Sequence, residues 1–220
     1  MSSGSKLGRV FILESPNPLD LLEGRAERLA LEQVCRLVGH KVTAFLLRDR
    51  MEFVQTCRYI SSIQPDKNDK TPLFLHISVH GDDDGIAVGR DDLGWKDLAT
   101  FVQGMYDKLK YYHGHVILIL SACGTNKQQL TYQLMEGLKH SEEKFIPPEY
   151  VIVFAEDTVD WLDAVVTWTI FYREAAKIDF KDKTMVQKLL DRLHVSDFGN
   201  LKYYRWDSTK EEYLRYQGKS

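Results

Sequence analysis

Two apolar runs in this sequence each end in a side chain that can take part in nucleophilic catalysis. Residues 73–80, LFLHISVH, end in His80, and residues 116–123, VILILSAC, end in Cys123; a glycine follows each run. A free thiol is mostly protonated at neutral pH, and an imidazole within reach can accept its proton and leave the nucleophilic thiolate. The two endings therefore predict a Cys/His dyad, provided that the fold brings them together.

The residues around this pair also suit the next step of such chemistry. Attack on a peptide carbonyl places negative charge on the carbonyl oxygen, which backbone N–H groups can stabilise. The N–H groups of Gly81 and Cys123 are the candidate donors because Gly81 directly follows the first run and Cys123 ends the second. We also expect the missing side chains of Gly81 and Gly124 to let a substrate backbone approach closely.

Strand-like and helix-like segments alternate along the chain and must position these residues. The strand-like segments are residues 9–13, 41–47, 73–79, 115–121, 150–155 and 201–206. The helix-like segments are residues 20–38 with Asp20 as the cap, then 49–62, 95–110, 126–139, 161–176 and 183–193. A last helix is predicted after Ser208, because Ser208 and Glu211 have the spacing of a capping box.

Short aliphatic strands separated by helices predict parallel βαβ units in an α/β fold, a three-layer αβα sandwich with a mostly parallel sheet. In such sheets ligands bind at the carboxyl ends of the strands, where both apolar runs end. The segment between His80 and His115 has room for one crossover helix. The two strands are therefore expected to be neighbours, roughly 4.8 Å apart, with the thiol beside the imidazole.

Composition restricts the classes of protein that fit. The 220 residues predict a single domain over residues 1–220, and the formal charge of -3 gives no reason to expect a nucleic-acid partner. Three widely spaced cysteines, Cys35, Cys57 and Cys123, argue against a disulfide framework and for a reducing compartment. We find no apolar run of ~18 residues and no signal-like start, so we expect a cytoplasmic protein without a membrane partner.

Three segments resemble a known family: HISVHG, LILSACGT and VFAEDTVDWLDAVVTWTIFYREA, within residues 73–176. Together they resemble the caspase-like cysteine peptidases, and among these the CHAT group, which is related to separase. The resemblance implies a caspase-like fold in which His80 and Cys123 form the dyad. It also implies cleavage of a protein or peptide substrate through an acyl-enzyme, with no obligatory organic cofactor.

The resemblance also carries expectations about the substrate. Caspases that cleave after aspartate have a glutamine two positions before the cysteine. Ser121 stands there instead, so Ser121 is a candidate substrate-binding residue and specificity for aspartate is not expected. Acids after the fifth strand line the pocket of separase-like members, which makes Asp160 and Asp163 candidates for binding a basic residue. The alternative is that both acids stabilise a helix N-terminus. Glu14 and Arg25 either face the cleft or are ordinary surface residues.

Two stretches of the sequence contain residues of the types that bind metals. His76 and His80 lie on one face of a strand roughly 13 Å apart, too far to share a zinc ion, and His76 is predicted to be a core residue. Residues 82–85, DDDG, lack the alternating ligands and final glutamate of an EF-hand. They are predicted to form a turn before a small hairpin at residues 86–88, with regulation by calcium left open. No metal or cofactor is expected.

The sequence leads to two functional hypotheses, an enzyme and a binding module. The first is a cysteine endopeptidase that a regulatory partner or a signal activates, which family analogy would place in bacterial defence or regulated cell death. The second is a caspase-like scaffold, sensor or binding module in which the dyad is catalytically idle.

Overall fold

The predicted alternation of strands and helices is present in the computed structural model, which describes residues 7–63, 70–109, 112, 114–125, 129–140 and 147–217. The strands are β1 (Arg9–Ser15), β2 (Lys41–Leu46), β3 (Leu73–Gly81), β4 (Gly85–Val88), β5 (Asp91–Gly94), β6 (Val116–Ser121), β7 (Tyr150–Phe154), β8 (Leu201–Asp207) and β9 (Glu212–Gln217). The helices are α1 (Pro18–Leu22), α2 (Arg28–Val38), α3 (Arg50–Ser62), α4 (Trp95–Lys108), α5 (Gln129–His140), α6 (Trp161–Ala175) and α7 (Lys183–Val195). Most of the predicted loop at 64–72 and the first residues of the helix predicted at 126–139 lie outside the described residues.

Seven strands form the main sheet, in the order β2-β1-β3-β6-β7-β8-β9. The first five strands in this order pair in parallel, whereas β8 and β9 add to the β7 edge in antiparallel orientation. The hairpin of β4 and β5 attaches to the end of β3. The chain is therefore α/β with a mixed, mostly parallel sheet, as predicted.

Helices pack on both faces of the sheet because the strands alternate apolar side chains between two faces. In β1, Val10 and Ile12 join the core that contains α2, α6 and α7, whereas Phe11 and Leu13 join the core that contains α3, α4 and α5. This arrangement agrees with the expected layers. Within the described ranges, every helix is too short or too polar to span a lipid bilayer.

The helix predicted from Asp20 to Val38 is wrong in one respect, because two helices occupy this segment. Asn17 caps α1, which ends after five residues, and α2 begins at Arg28. The three- and four-residue spacing of Leu22, Ala26, Leu29, Ala30, Val34, Leu37 and Val38 predicts a buried stripe on this helix, and that prediction is wrong too. Leu22, Leu29 and Leu37 are exposed, whereas α2 buries Leu31 and Cys35. Spacing alone did not reveal the break between the helices or the face that packs.

The predicted last helix is also wrong, because residues after Ser208 form a turn and then β9. Asp207 accepts hydrogen bonds from the backbone N–H groups of Thr209 and Lys210, and Glu211 has a left-handed φ of 53° that no helix start adopts. Alternating aromatic side chains then favour a strand pair. The rings of Tyr203 and Tyr216 stack with centroids 4.9 Å apart across the hairpin.

The parallel register of β3 and β6 positions the two predicted catalytic residues. Ser78 pairs with Ser121 as the last register pair of these strands. His80 and Cys123 each follow two residues later, so both lie at the same edge of the sheet, His80 within β3 and Cys123 just beyond the end of β6. The predicted neighbourhood of the two strands is confirmed.

The glycines after the dyad residues let two chain segments approach each other. A Cβ at Gly81 would lie 2.7 Å from the carbonyl oxygen of Cys123. Gly124 has a left-handed φ of +70°, and a Cβ there would lie 2.4 Å from the carbonyl carbon and oxygen of Asp82. The close approach expected for a substrate backbone is therefore made by the protein's own backbone.

Replacing Gly124 with alanine is expected to destabilise the fold by about 1–3 kcal/mol, because the left-handed backbone and the contact with Asp82 both exclude a Cβ. Gly104→Ala is the matched control, since Gly104 is in α4 with open space around it, and this change should stabilise by about 0.5–1 kcal/mol. Urea unfolding measures both variants. A Gly124→Ala protein as stable as the parent would contradict the described packing.

Candidate active site

A small cavity at the carboxyl ends of β3, β6 and β7 brings the predicted dyad together. It has a volume of about 90 Å³, and both His80 and Cys123 line it, together with Ser121. The side chain of His80 is 41% exposed. Cys123 is partly exposed as well. His80 and Cys123 therefore border one space, and solvent reaches both residues.

The other two cysteines are in a different environment. Cys35 is in α2 and Cys57 is in α3, and both are buried. Burial raises the pKa of each of these thiols to about 12, because the thiolate would lose its hydration. Of the three cysteines, Cys123 alone has the exposure that a nucleophile needs.

Asp20 supplies a partner for His80 that sequence reasoning missed. Its Oδ2 lies 2.5 Å from Nε2 of His80, and its side chain is only 6% exposed. A carboxylate accepts hydrogen bonds, so Nε2 of His80 carries the hydrogen atom and donates a hydrogen bond to Asp20. The amide nitrogen of Asn17 also lies 3.2 Å from Nε2, but it is a donor as well and does not replace Asp20 as the acceptor.

Helix α1 holds this carboxylate through a capping box. The side chain of Asn17 accepts a hydrogen bond from the backbone N–H of Asp20, and Oδ2 of Asp20 accepts one from the backbone N–H of Asn17. Pro18 occupies the first position of the helix, where its missing N–H costs nothing. The sequence NPLD, two residues after β1, is the signal for this arrangement, and the prediction that Asp20 is the cap is wrong because Asn17 is the cap.

Trp161, the first residue of α6, contacts the other side of the imidazole. Its ring meets that of His80 edge to face, with centroids 5.6 Å apart and planes at 83°. Asp20 and Trp161 together restrict the orientation of the ring. With the proton on Nε2, Nδ1 at the opposite edge of the ring is left to accept a proton from a thiol.

A buried carboxylate, Glu27, lines the same cavity from below. Its Oε1 accepts a hydrogen bond of 2.6 Å from Ser121, whose hydroxyl accepts one of 2.8 Å from Trp168. Its Oε2 lies 3.1 Å from Nε2 of His76, and Tyr172 lies 3.1 Å from Nδ1 of that ring. Burial raises the pKa of Tyr172 well above 10. The phenol therefore stays protonated and donates to His76.

Glu14 forms the far end of this polar group. In the register it lies beside Ser78, which in turn pairs with Ser121. Its Oε1 accepts hydrogen bonds from the backbone N–H groups of Glu27 and Arg28, at 2.6 and 2.8 Å. Burial nevertheless raises the pKa of Glu14 to about 7. Its Oε2 has no hydrogen-bond partner among the described residues.

The predicted substrate-binding residues separate into two places. Ser121 lines the dyad cavity, whereas Asp160 and Asp163 line an adjoining cavity beside α6. Asp160 is also the N-cap of α6 and accepts a hydrogen bond from the N–H of Leu162. The alternative of helix-end stabilisation thus describes one role of Asp160. Gly81 lies at the end of β3 and lines a cavity with His80.

The other residues that the sequence analysis considered for a functional role have structural roles or lie at the surface. His76 is fully buried, as predicted. Arg25 is exposed and pairs with Glu23. Asp82 accepts hydrogen bonds from the N–H groups of Asp84 and Gly85, which forms the predicted turn. No group of three or more metal-binding side chains occurs among the described residues.

Comparisons with known proteins leave the identity of the chain open. No protein-family model matches it, and no curated protein sequence matches it either.

The raised pKa of Glu14 predicts a pH dependence of stability. The pKa rises from an ordinary value of 4.5 to about 7, so the folded state binds this proton more tightly than the unfolded chain does. The stabilisation is complete below about pH 4.5 and is lost as the pH rises through 7, by on the order of 3 kcal/mol.

Glu14→Gln keeps the acceptor for both backbone N–H groups and removes this titration. The variant should therefore gain stability over the parent at about pH 8 but not at about pH 4.5. Chemical unfolding at the two pH values measures the difference. Glu23→Gln, at an exposed position, is the control. The assignment fails if Glu14→Gln is no more stable than the parent at the higher pH.

Proposed function

We propose that this protein is a cysteine endopeptidase of the caspase-like type, related to the CHAT group, which cleaves protein substrates with Cys123 and His80. The observation that supports this most is the shared cavity, in which a partly exposed thiol and an imidazole bonded to a buried carboxylate leave neighbouring parallel strands. The caspase-like fold and a regulatory partner are part of the proposal. An intracellular location is also part of the proposal.

In the first step Nδ1 of His80 accepts the proton of the Cys123 thiol, while Asp20 stabilises the imidazolium through Nε2. The thiolate attacks the carbonyl carbon of the substrate, and the C=O electron pair moves to the oxygen. The N–H groups of Gly81 and Cys123 are the proposed donors to this oxyanion.

In the second step the oxyanion collapses and the C–N bond breaks. The imidazolium returns its proton to the leaving amine, and the substrate acyl group remains as a thioester on Cys123. Water then attacks the thioester, with His80 as the base, and releases the carboxylic acid and the free thiol. Trp161 keeps the imidazole in place through both steps.

A peptide acyloxymethyl ketone tests this proposal because it alkylates a catalytic thiol from within the substrate cleft. We expect mass spectrometry to find the adduct on Cys123 and denatured casein to be cleaved. Cys123→Ala should abolish both while the protein stays folded. If the native protein forms no adduct and cleaves nothing, the dyad is idle and the fold acts as a binding module.

Asp20→Asn tests the role of the carboxylate within the same assay. Without the negative charge the imidazolium is less stable, so the rate of capture should fall by about 10²-fold or more. Glu23→Gln changes a neighbouring exposed acid and should leave the rate unchanged. An unchanged rate in Asp20→Asn would show that His80 works without this partner.

A further inference from the structure

Two larger cavities share lining residues with the dyad cavity. On one side a cavity of about 300 Å³ shares His80 with it and lies between the end of β3 and the β4–β5 hairpin. On the other side a cavity of about 470 Å³ shares Phe154 and Val159 with it and lies between α6 and residues 194–200. We call these three neighbouring cavities the dyad groove.

The two outer parts of the groove are acidic. The hairpin side is lined by Asp82, Asp84 and Asp92. The side beside α6 is lined by Glu156, Asp160, Asp163 and Asp197. In the described part of the chain no lysine or arginine lines any of the three cavities. The groove therefore presents carboxylates on both sides of the reacting atoms.

None of the seven carboxylates that line the outer parts of the groove forms a salt bridge with another described residue. Away from the groove, Glu32 pairs with Arg36 and Glu136 pairs with Lys139. Lys202 interacts electrostatically with Glu156 and offsets part of the charge on the α6 side, and the remaining carboxylates give the groove a negative field. Such a field attracts a cationic ligand and repels an anionic one.

Apolar side chains on the α6 side indicate what kind of cation fits. Leu162 is 69% exposed and Phe198 is 45% exposed, and both line the groove together with Val159. Exposed apolar surface beside carboxylates suits a chain that carries basic and apolar side chains together. It does not suit a metal ion, which prefers a compact set of oxygen ligands.

We infer that the dyad groove binds an extended polypeptide with lysine or arginine residues on both sides of the cleaved bond, and with an apolar residue on the α6 side. This inference rests on the proposed peptidase function. It concerns the outer parts of the groove, beyond the residue next to the bond that is cleaved. Charge on both sides would favour flexible, basic segments of proteins as substrates.

Binding of labelled peptides to the Cys123→Ala protein tests the inference without requiring cleavage. The probes are three fluorescein-labelled peptides of equal length, built on the same glycine, serine and leucine frame with lysine, glutamate or glutamine at the same positions. Fluorescence anisotropy at low salt should show the lysine peptide binding at least about tenfold more tightly than the glutamine peptide, with the glutamate peptide weakest. High salt should reduce this preference.

Two variants with the same change in net charge separate groove binding from general attraction. Asp92→Asn combined with Asp163→Asn removes one carboxylate from each outer part of the groove and should weaken binding of the lysine peptide by about tenfold. Glu136→Gln combined with Glu212→Gln removes two carboxylates that do not line the groove and should have little effect. Equal losses in both variants, or equal binding of all three peptides, would overturn the inference.

The peptidase proposal and the inference about the ligand can fail independently of each other. If the lysine peptide binds in the groove but the parent protein neither cleaves it nor reacts with a ketone inhibitor, the inference on the ligand stands and the peptidase proposal fails. If casein is cleaved through Cys123 at sites without nearby basic residues, the peptidase proposal stands and the inference fails.

Discussion

The parallel pairing of β3 with β6 is the constraint on which the site depends. Because Ser78 is opposite Ser121, His80 and Cys123 lie at the same edge of the sheet without a dedicated loop. A slip of one residue in either strand would move one of the two side chains to the opposite face. The contact of Gly124 with the segment after β3 then keeps the two strand ends together.

Below this pair the interior is unusually polar for the centre of a sheet. Glu27 is held by Ser121 and His76, and its own N–H group donates to Glu14. Buried carboxylates are costly unless hydrogen bonds offset the loss of hydration, and the raised pKa of Glu14 shows that they do so only in part. Keeping Glu14 ionised in the folded protein therefore has a cost in stability as the pH rises through 7. Groups with a perturbed pKa often lie at functional sites.

Sequence reasoning succeeded where a local pattern determines the outcome. Aliphatic runs that end in His80 and Cys123 predicted the strands and their common edge, because parallel strands carry functional side chains at their carboxyl ends. Sequence reasoning missed the role of Asp20, which lies sixty residues before its partner His80. Its position depends on the break between α1 and α2, which the sequence pattern did not reveal. Glu27 was missed for the same reason, since its contacts with Ser121 depend on how α2 crosses the sheet.

The alkylation rate of Cys123 tests the pairing of thiol and imidazole most directly. The native protein is treated with iodoacetamide at about pH 6.5, and mass spectrometry measures modification of each cysteine over time. The structure predicts that Cys123 reacts well before Cys35 and Cys57, and that His80→Ala slows Cys123 by at least about tenfold. A rate at Cys123 that matches the buried cysteines, or that His80→Ala leaves unchanged, would contradict the account.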